Sequence, residues 1–191
     1  MSVVKIIIDG VEQNVDYEKL DNRPPLIKGS GDYSIVQYMG ENPASANTAS
    51  AAGAIALGSK SEATGICSLA IGTKLTNGGV TKATGGNALA FGAGVVSGGQ
   101  ASQAFGIGTE ATGRASLVCG QFNVKDTNAE DSSHGTGARK YVFTVGNGTA
   151  DNARSNALAV DWSGNVEVGG TLKIGSTTIT EAQLISLLAT L

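Results

Sequence analysis

The sequence contains a single histidine, His134, in the polar run DSSHGTG (131–137). Nucleophilic catalysis needs a general base beside its nucleophile, and a histidine in so polar a loop reads as solvated rather than catalytic. Glu62 and Glu110 each open an EATG stretch (62–65 and 110–113), so they share one edge of any repeating structure. Glycoside hydrolysis would need such carboxylates as a pair across a cleft; here they read as surface charges. Asp126, Glu130 and Asp131 lie close together but lack the spacing of a calcium loop. GAGVVSGG (92–99) and GIGTEATG (106–113) are followed by no Gly-Lys-Ser/Thr and sit in no strand–helix unit, so they are not phosphate loops. Cys67 and Cys119 have no CxxC spacing and read as small buried thiols. The expectation is a protein that is not an enzyme, with no catalytic, cofactor-binding or metal-binding residues.

The elements that carry these residues are constrained by composition. The chain has 28 glycines against one Trp, four Phe and four Tyr, too few large side chains to fill a two-layer globule. Such a composition suits glycine-rich turns around a thin interior. A net charge of −3 with scattered Lys and Arg gives no footprint for nucleic acid. No run approaches the ~18 apolar residues of a membrane span. The opening MSVVKIIIDGVEQNVD has an apolar run too short and too soon acidic for a secretory signal. Neither nucleic-acid binding nor membrane insertion is therefore expected, and synthesis and folding are expected in the cytoplasm.

A unit of large–small–large–Gly recurs along residues 44–123, ending at Gly58, Gly72, Gly92, Gly108 and Gly120, with spacings of 14, 20, 16 and 12. The large residues are Ile55 and Leu57, Leu69 and Ile71, Leu89 and Phe91, Phe105 and Ile107, Leu117 and Cys119; between them stand Ala56, Ala70, Ala90, Gly106 and Val118. A second element (ASA 49–51, ATG 63–65, ATG 83–85, VSG 96–98, ATG 111–113) ends seven residues before the next anchor in four of five cases. Period-2 placement of large residues before glycine predicts very short strands that then turn, and glycine at this density disfavours helix. Two strands and two turns would make one coil of a solenoid, with the large residues stacked into core ladders. The small residues would face the other way, toward a second subunit or solvent. LTNGGVTK (75–82) and the stretch around 99–102 read as loops bulging from one edge, the places for partner contact.

With SLAIG (68–72) and ALAFG (88–92), this block resembles the head domain of trimeric autotransporter adhesins. AFGIG (104–108) and SLVCG (116–120) depart from that pattern at the middle position. The resemblance implies an all-β fold, a left-handed parallel β-roll solenoid, and a homotrimer. Residues 120–170 in turn resemble a segment of tail-fibre and baseplate proteins from phages and prophages of Gram-positive bacteria. The matching residues are Gly120, Phe122, Asn123, the run 145–149 containing Gly146, Asn147 and Gly148, the run 154–157 containing Arg154 and Asn156, and then Asp161, Trp162, Gly164 and Asn165. That resemblance implies a structural virion tail protein that contacts other tail or baseplate proteins through its N-terminus and presents loops to host cell-surface glycan. An autotransporter is expected to carry a signal peptide, a coiled-coil stalk and a membrane barrel, none of which is read in these residues; an adhesin head at the bacterial surface is the alternative, and a polysaccharide-degrading spike is another.

The flanks read locally. Residues 1–22 predict a docking hairpin of strands Val4–Ile8 and Val11–Val15 about Asp9-Gly10. Residues 23–43, with Pro24 and Pro25, predict an extended linker. In 124–175, VFTVGNGT and NALAVDWSGNVEVGG predict strands and a hairpin tipped by Ser163-Gly164-Asn165, with Asp161 bonding turn amides and Arg154 pairing with Asp151 or Asp161. In 176–191 a Thr180–Gln183 capping box precedes Leu184, Leu187, Leu188 and Leu191 at helical spacing, a short C-terminal helix.

Overall fold

The computed structural model describes residues 3–8, 11–16, 26–37, 46–126 and 141–189. His134, Glu130, Asp131, Asp9, Gly10, Pro24, Pro25 and Leu191 lie outside them. The described chain is all-β apart from one short helix. Its strands are β1 (Val3–Ile8), β2 (Val11–Asp16), β3 (Leu26–Lys28), β4 (Ile35–Gln37), β5 (Thr48–Ala49), β6 (Ile55–Ser59), β7 (Glu62–Ala63), β8 (Leu69–Thr73), β9 (Lys82–Ala83) and β10 (Leu89–Ala93). There follow β11 (Val96–Ser97), β12 (Gln103–Ile107), β13 (Glu110–Ala111), β14 (Leu117–Gln121), β15 (Tyr141–Asn147), β16 (Asn156–Asp161), β17 (Val166–Val168), β18 (Leu172–Ile174), β19 (Thr177–Ile179) and helix α1 (Glu181–Leu188).

The chain alternates between two sheets. β4, β6, β8, β10, β12, β14 and β15 run parallel in a ten-stranded sheet, and the two-residue strands β5, β7, β9, β11 and β13 form a parallel five-stranded sheet. The ten-stranded sheet is mixed, because β3 at one end and β16 and β17 at the other are antiparallel, and neither sheet closes on itself. Residues 26–37, expected as linker, instead supply β3 and β4. The β1–β2 hairpin and the β16–β17 hairpin form as expected. The β18–β19 hairpin straddles the expected start of the helical segment.

Register corrects the repeat. Ile55, Leu69, Leu89, Gln103 and Leu117 are aligned partners, so the spacing is 14, 20, 14 and 14. The glycine column is Gly58, Gly72, Gly92, Gly106, Gly120 and Gly146; Gly108 lies outside it, two residues beyond Gly106. A Cβ on Gly92 would stand 1.9 Å from the Gly106 carbonyl oxygen, and one on Gly72 1.8 Å from that of Gly92. These glycines lie within strands rather than at turns, kept bare by the backbone of the next rung. Residues 99–102 are an ordinary in-register corner, so of the two expected loops the 74–79 insertion alone bulges.

The interior also inverts the expected arrangement. Each 14-residue turn points four small residues inward: Ser61, Ala63, Ser68 and Ala70, then Thr81, Ala83, Ala88 and Ala90, then Val95, Ser97, Ser102 and Ala104, then Thr109, Ala111, Ser116 and Val118, all buried. The expected core residues Ile55, Leu57, Leu69, Ile71, Leu89, Phe105, Leu117 and Cys119 are only half-buried, on the outward side of the ten-stranded sheet, and Phe91 (52 %) and Ile107 (43 %) are exposed. The physical reason is thickness: two-residue strands joined by tight corners bring the sheets too close for side chains of leucine, isoleucine or phenylalanine size, and nothing larger than valine points inward in these turns. Cys67 is also exposed rather than buried.

The corners explain themselves locally. Cys67, Asn87, Ala101 and Ala115 adopt φ of +54° to +57°, one per turn, immediately before an inward Ser or Ala. The strain is held by the next amide, which donates back three residues, as Ser102 N does to Gly99 O at 3.1 Å. At Ser102 and Ser116 the hydroxyl repeats the bond at 2.7 Å, so a buried polar atom is satisfied at the turn that needs it, whereas the buried Ser68 hydroxyl has no such partner.

Candidate functional site

A cleft of about 400 Å³ opens on the outer side of the five-stranded sheet. Its floor is set by strand alternation. Because Ala63, Ala83, Ser97 and Ala111 point inward, their neighbours Glu62, Lys82, Val96 and Glu110 point outward in one register column. One wall is the insertion: Leu75 N donates to Gly79 O (2.7 Å), Gly78 N to Leu75 O (2.9 Å), and Asn77 Oδ1 accepts from Gly79 N (3.1 Å). Leu75 lies over Gly94, where an added Cβ would be 2.5 Å from its side chain. The opposite wall is the turn after β15, carrying Asp151 and Arg154, with Phe122 and Lys125 below.

Arg154 holds this wall. Its Nε donates to Asp151 Oδ1 (2.9 Å), Nη1 to the carbonyls of Gly108 and Asn123 (3.0 Å each), and Nη2 to Glu110 Oε1 (3.3 Å) and Asp151 Oδ1 (2.5 Å). All five guanidinium donors are engaged, and the group lies 5.8 Å from the centre of the Phe122 ring. Of the two partners expected for it, Arg154 takes Asp151 and not Asp161. The hydrogen bond from Arg154, then its charge and that of Lys125, hold the Asp151 carboxyl below the usual carboxylate range. Lys125 Nζ reaches Glu110 at 2.6 Å, and Lys82 Nζ pairs with Glu62 at 2.9 Å.

No protein-family model, curated protein or solved structure matches this chain.

Asn123, buried beneath Arg154, stands where a further turn would continue. Its Oδ1 accepts from Glu110 N (2.8 Å) while Nδ2 donates to Glu110 O (3.0 Å) and Val124 O (2.9 Å), replacing the missing strand. Asn47 does the same at the other end, accepting from Ser61 N (2.8 Å) and donating to Gly58 O (2.9 Å) and Gln37 O (3.1 Å). Both occupy the column Asn47, Ser61, Thr81, Val95, Thr109, Asn123.

The motif residues after β14 serve as joints. Gly146 and Gly148 pack without a side chain against the backbone of residues 121–123, Asn147 accepts from Ser155 Oγ (2.6 Å), and Asn156 Oδ1 accepts from Val124 N (2.8 Å). Asp161 Oδ1 accepts from the amides of Ser163 and Asn165 (2.8 Å each) and Oδ2 from Asn165 Nδ2 (2.7 Å), closing the turn that contains Gly164 at φ +85°. The bond from the Asn165 side chain leads in holding Asp161 below the ordinary 3.8. Trp162, next to it, is half-buried.

Glu62 and Glu110 share a column as expected, but three strand spacings separate them, about 14 Å. Paired glycosidase carboxylates stand roughly 5–9.5 Å apart, and both of these are tied to cations. Among the described residues no group of His, Cys, Asp and Glu could hold a metal ion, and no helix is long and apolar enough to cross a membrane. Lys82 and Lys125 were not singled out from sequence, and Asn123 stood there only as a motif residue, not as a cap. The Glu62-to-Lys82 interval is one repeat plus the insertion and signals their pairing; Lys125 follows the last repeat and carries no such signal.

Proposed function

We propose that the chain is a non-enzymatic structural protein of a phage or prophage tail, a homotrimeric fibre or baseplate component whose body is a left-handed parallel β-roll. The single observation that carries this reading is the outward side of the ten-stranded sheet. Rung after rung it presents Ile55 and Leu57, Leu69 and Ile71, Leu89 and Phe91, then Phe105, Leu117 and Cys119, all half-buried or exposed, while the interior holds little beyond alanine, serine and threonine. A thin interior of this kind supplies modest hydrophobic stabilisation, and a contiguous apolar sheet face in water is a surface that favours association. Packing that face about an axis with two further copies buries what a single chain leaves wet. The three-chain stoichiometry and the handedness follow from the resemblance to autotransporter heads; the tail assignment follows from the motif running from Gly146 to Asn165, which the structure uses as turns and joints with no chemistry assigned to them.

The role is mechanical and multivalent. Three copies of the 74–79 insertion, presented around a rod, let weak contacts to a host surface add by avidity. The test is the mass of the purified full chain in solution across a concentration series, by sedimentation. Three chains are expected, and a folded monomer at all concentrations overturns the proposal.

A further inference from the structure

We propose that the cleft between the 74–79 insertion and the Asp151–Arg154 turn is a binding subsite for a neutral saccharide. This deepens the attachment role proposed above and rests on it. The argument begins with the state of the charges. Lys82 is paired with Glu62, and Lys125 and Arg154 are paired with Glu110 and Asp151. An anionic ligand entering to meet a lysine would face the carboxylates of Glu110 and Asp151. A cationic one would have to displace Arg154, whose side chain is 12 % exposed and bonded through every donor. A wholly apolar ligand would desolvate these ion pairs without replacing their water, at a cost no contact with Val96 or Leu75 offsets.

A neutral polyol meets none of these objections. Hydroxyl groups donate to carboxylate oxygens and accept from ammonium groups, and the cleft offers both within one surface, together with the Asn77 amide on its rim. The C–H face of a sugar ring has a place as well, since Val96 stands on the floor between Lys82 and Glu110 in register, with Leu75 on the wall. About 400 Å³ falls within the size range of small-ligand sites. The site is also built rather than incidental: its wall is fixed by the five bonds of Arg154 and its floor by sheet register, so little ordering remains for a ligand to impose.

The experiment is saturation-transfer difference NMR and amide shift mapping on the intact full chain, with maltose, cellobiose and di-N-acetylchitobiose as separate probes. The expected result is transfer to at least one sugar, with amide shifts centred on Asn77, Gly78, Val96 and Asp151. Val96→Lys, which fills the floor from an outward position, is expected to weaken binding at least roughly tenfold, equivalent to about 1.4 kcal/mol. Asn77→Ala, on an exposed loop that tolerates it, is expected to weaken it several-fold with the mass and circular dichroism of the parent. No transfer to any of the three sugars, shifts centred elsewhere, or binding unchanged in both variants overturns the inference. The two readings fail separately: a monomer that binds sugar in this cleft refutes the trimeric fibre alone, whereas a trimer with no sugar response refutes the subsite alone.

Discussion

Replacing Phe91 by alanine separates the outward apolar face from the interior as the source of association. A phenylalanine has ~150–250 Å² to bury, and with 52 % of Phe91 exposed in the single chain, about 100 Å² remains for a partner to cover. At ~25 cal/mol per Å² that is ~2.5 kcal/mol per chain, or ~7 kcal/mol for three chains losing it together. The assembly constant should then fall by roughly five orders of magnitude. Sedimentation velocity over a concentration series reads this directly, and the thermal midpoint of the parent should rise with concentration while that of Phe91→Ala should not. Ile66→Ala serves as control, because Ile66 is more exposed (63 %) but sits at a corner away from the sheet face. Association of Phe91→Ala indistinguishable from the parent, or equal weakening by Ile66→Ala, would refute the reasoning.

Further predictions concern the chain itself. Gly92→Ala places a Cβ 1.9 Å from the Gly106 oxygen at φ +138° and should destabilise by at least about 3 kcal/mol in denaturant unfolding, or prevent folding. Asn123→Ala removes three hydrogen bonds from a buried cap; a loss of roughly 1–3 kcal/mol is expected, with amide exchange rising first at Glu110, whose N–H loses its acceptor. Asp161 has a folded-state pKa below its ordinary 3.8, so its contribution is present above about pH 3.8 and disappears as pH falls through the folded value. Asp161→Asn should therefore flatten the acid limb of the stability profile and leave neutral pH less changed than Asp161→Ala. Thr180→Ala removes the hydroxyl that accepts from Gln183 N and should lower helicity at the C-terminus, read by chemical shifts.

Much of this architecture was legible in the sequence because glycine and alternation are backbone signals. The short strands, the crossing every seven residues, the Asp161 turn and the Thr180 cap each depend on chemistry within a few positions. What misled was the side of the strand. Large apolar residues at period 2 say that one face is apolar without saying whether it faces the partner sheet or the outside, and hydrophobicity favours the wrong answer when the space between sheets admits nothing larger than valine. The register slip at Gly108 has a similar origin: AFGIG (104–108) offers two glycines, and only the clash of a Cβ with the next carbonyl selects Gly106. Within the cleft, Glu62 and Glu110 could be placed in one column from their shared EATG setting. The contacts of Lys125 and Asn123 with Glu110, and those of Arg154 beyond Asp151, could not, because those partners lie 13 to 46 residues away and meet only once the stack ends.

The two asparagines that close the stack also make its length adjustable. Between Asn47 and Asn123 every turn presents the same edge to the one above and the one below, so a further fourteen residues can be spliced in at any corner without either terminus sensing the change. Each addition would lengthen the body by one strand spacing, about 4.8 Å. Reach can thus evolve by simple duplication, while the side loops that meet the outside world change independently.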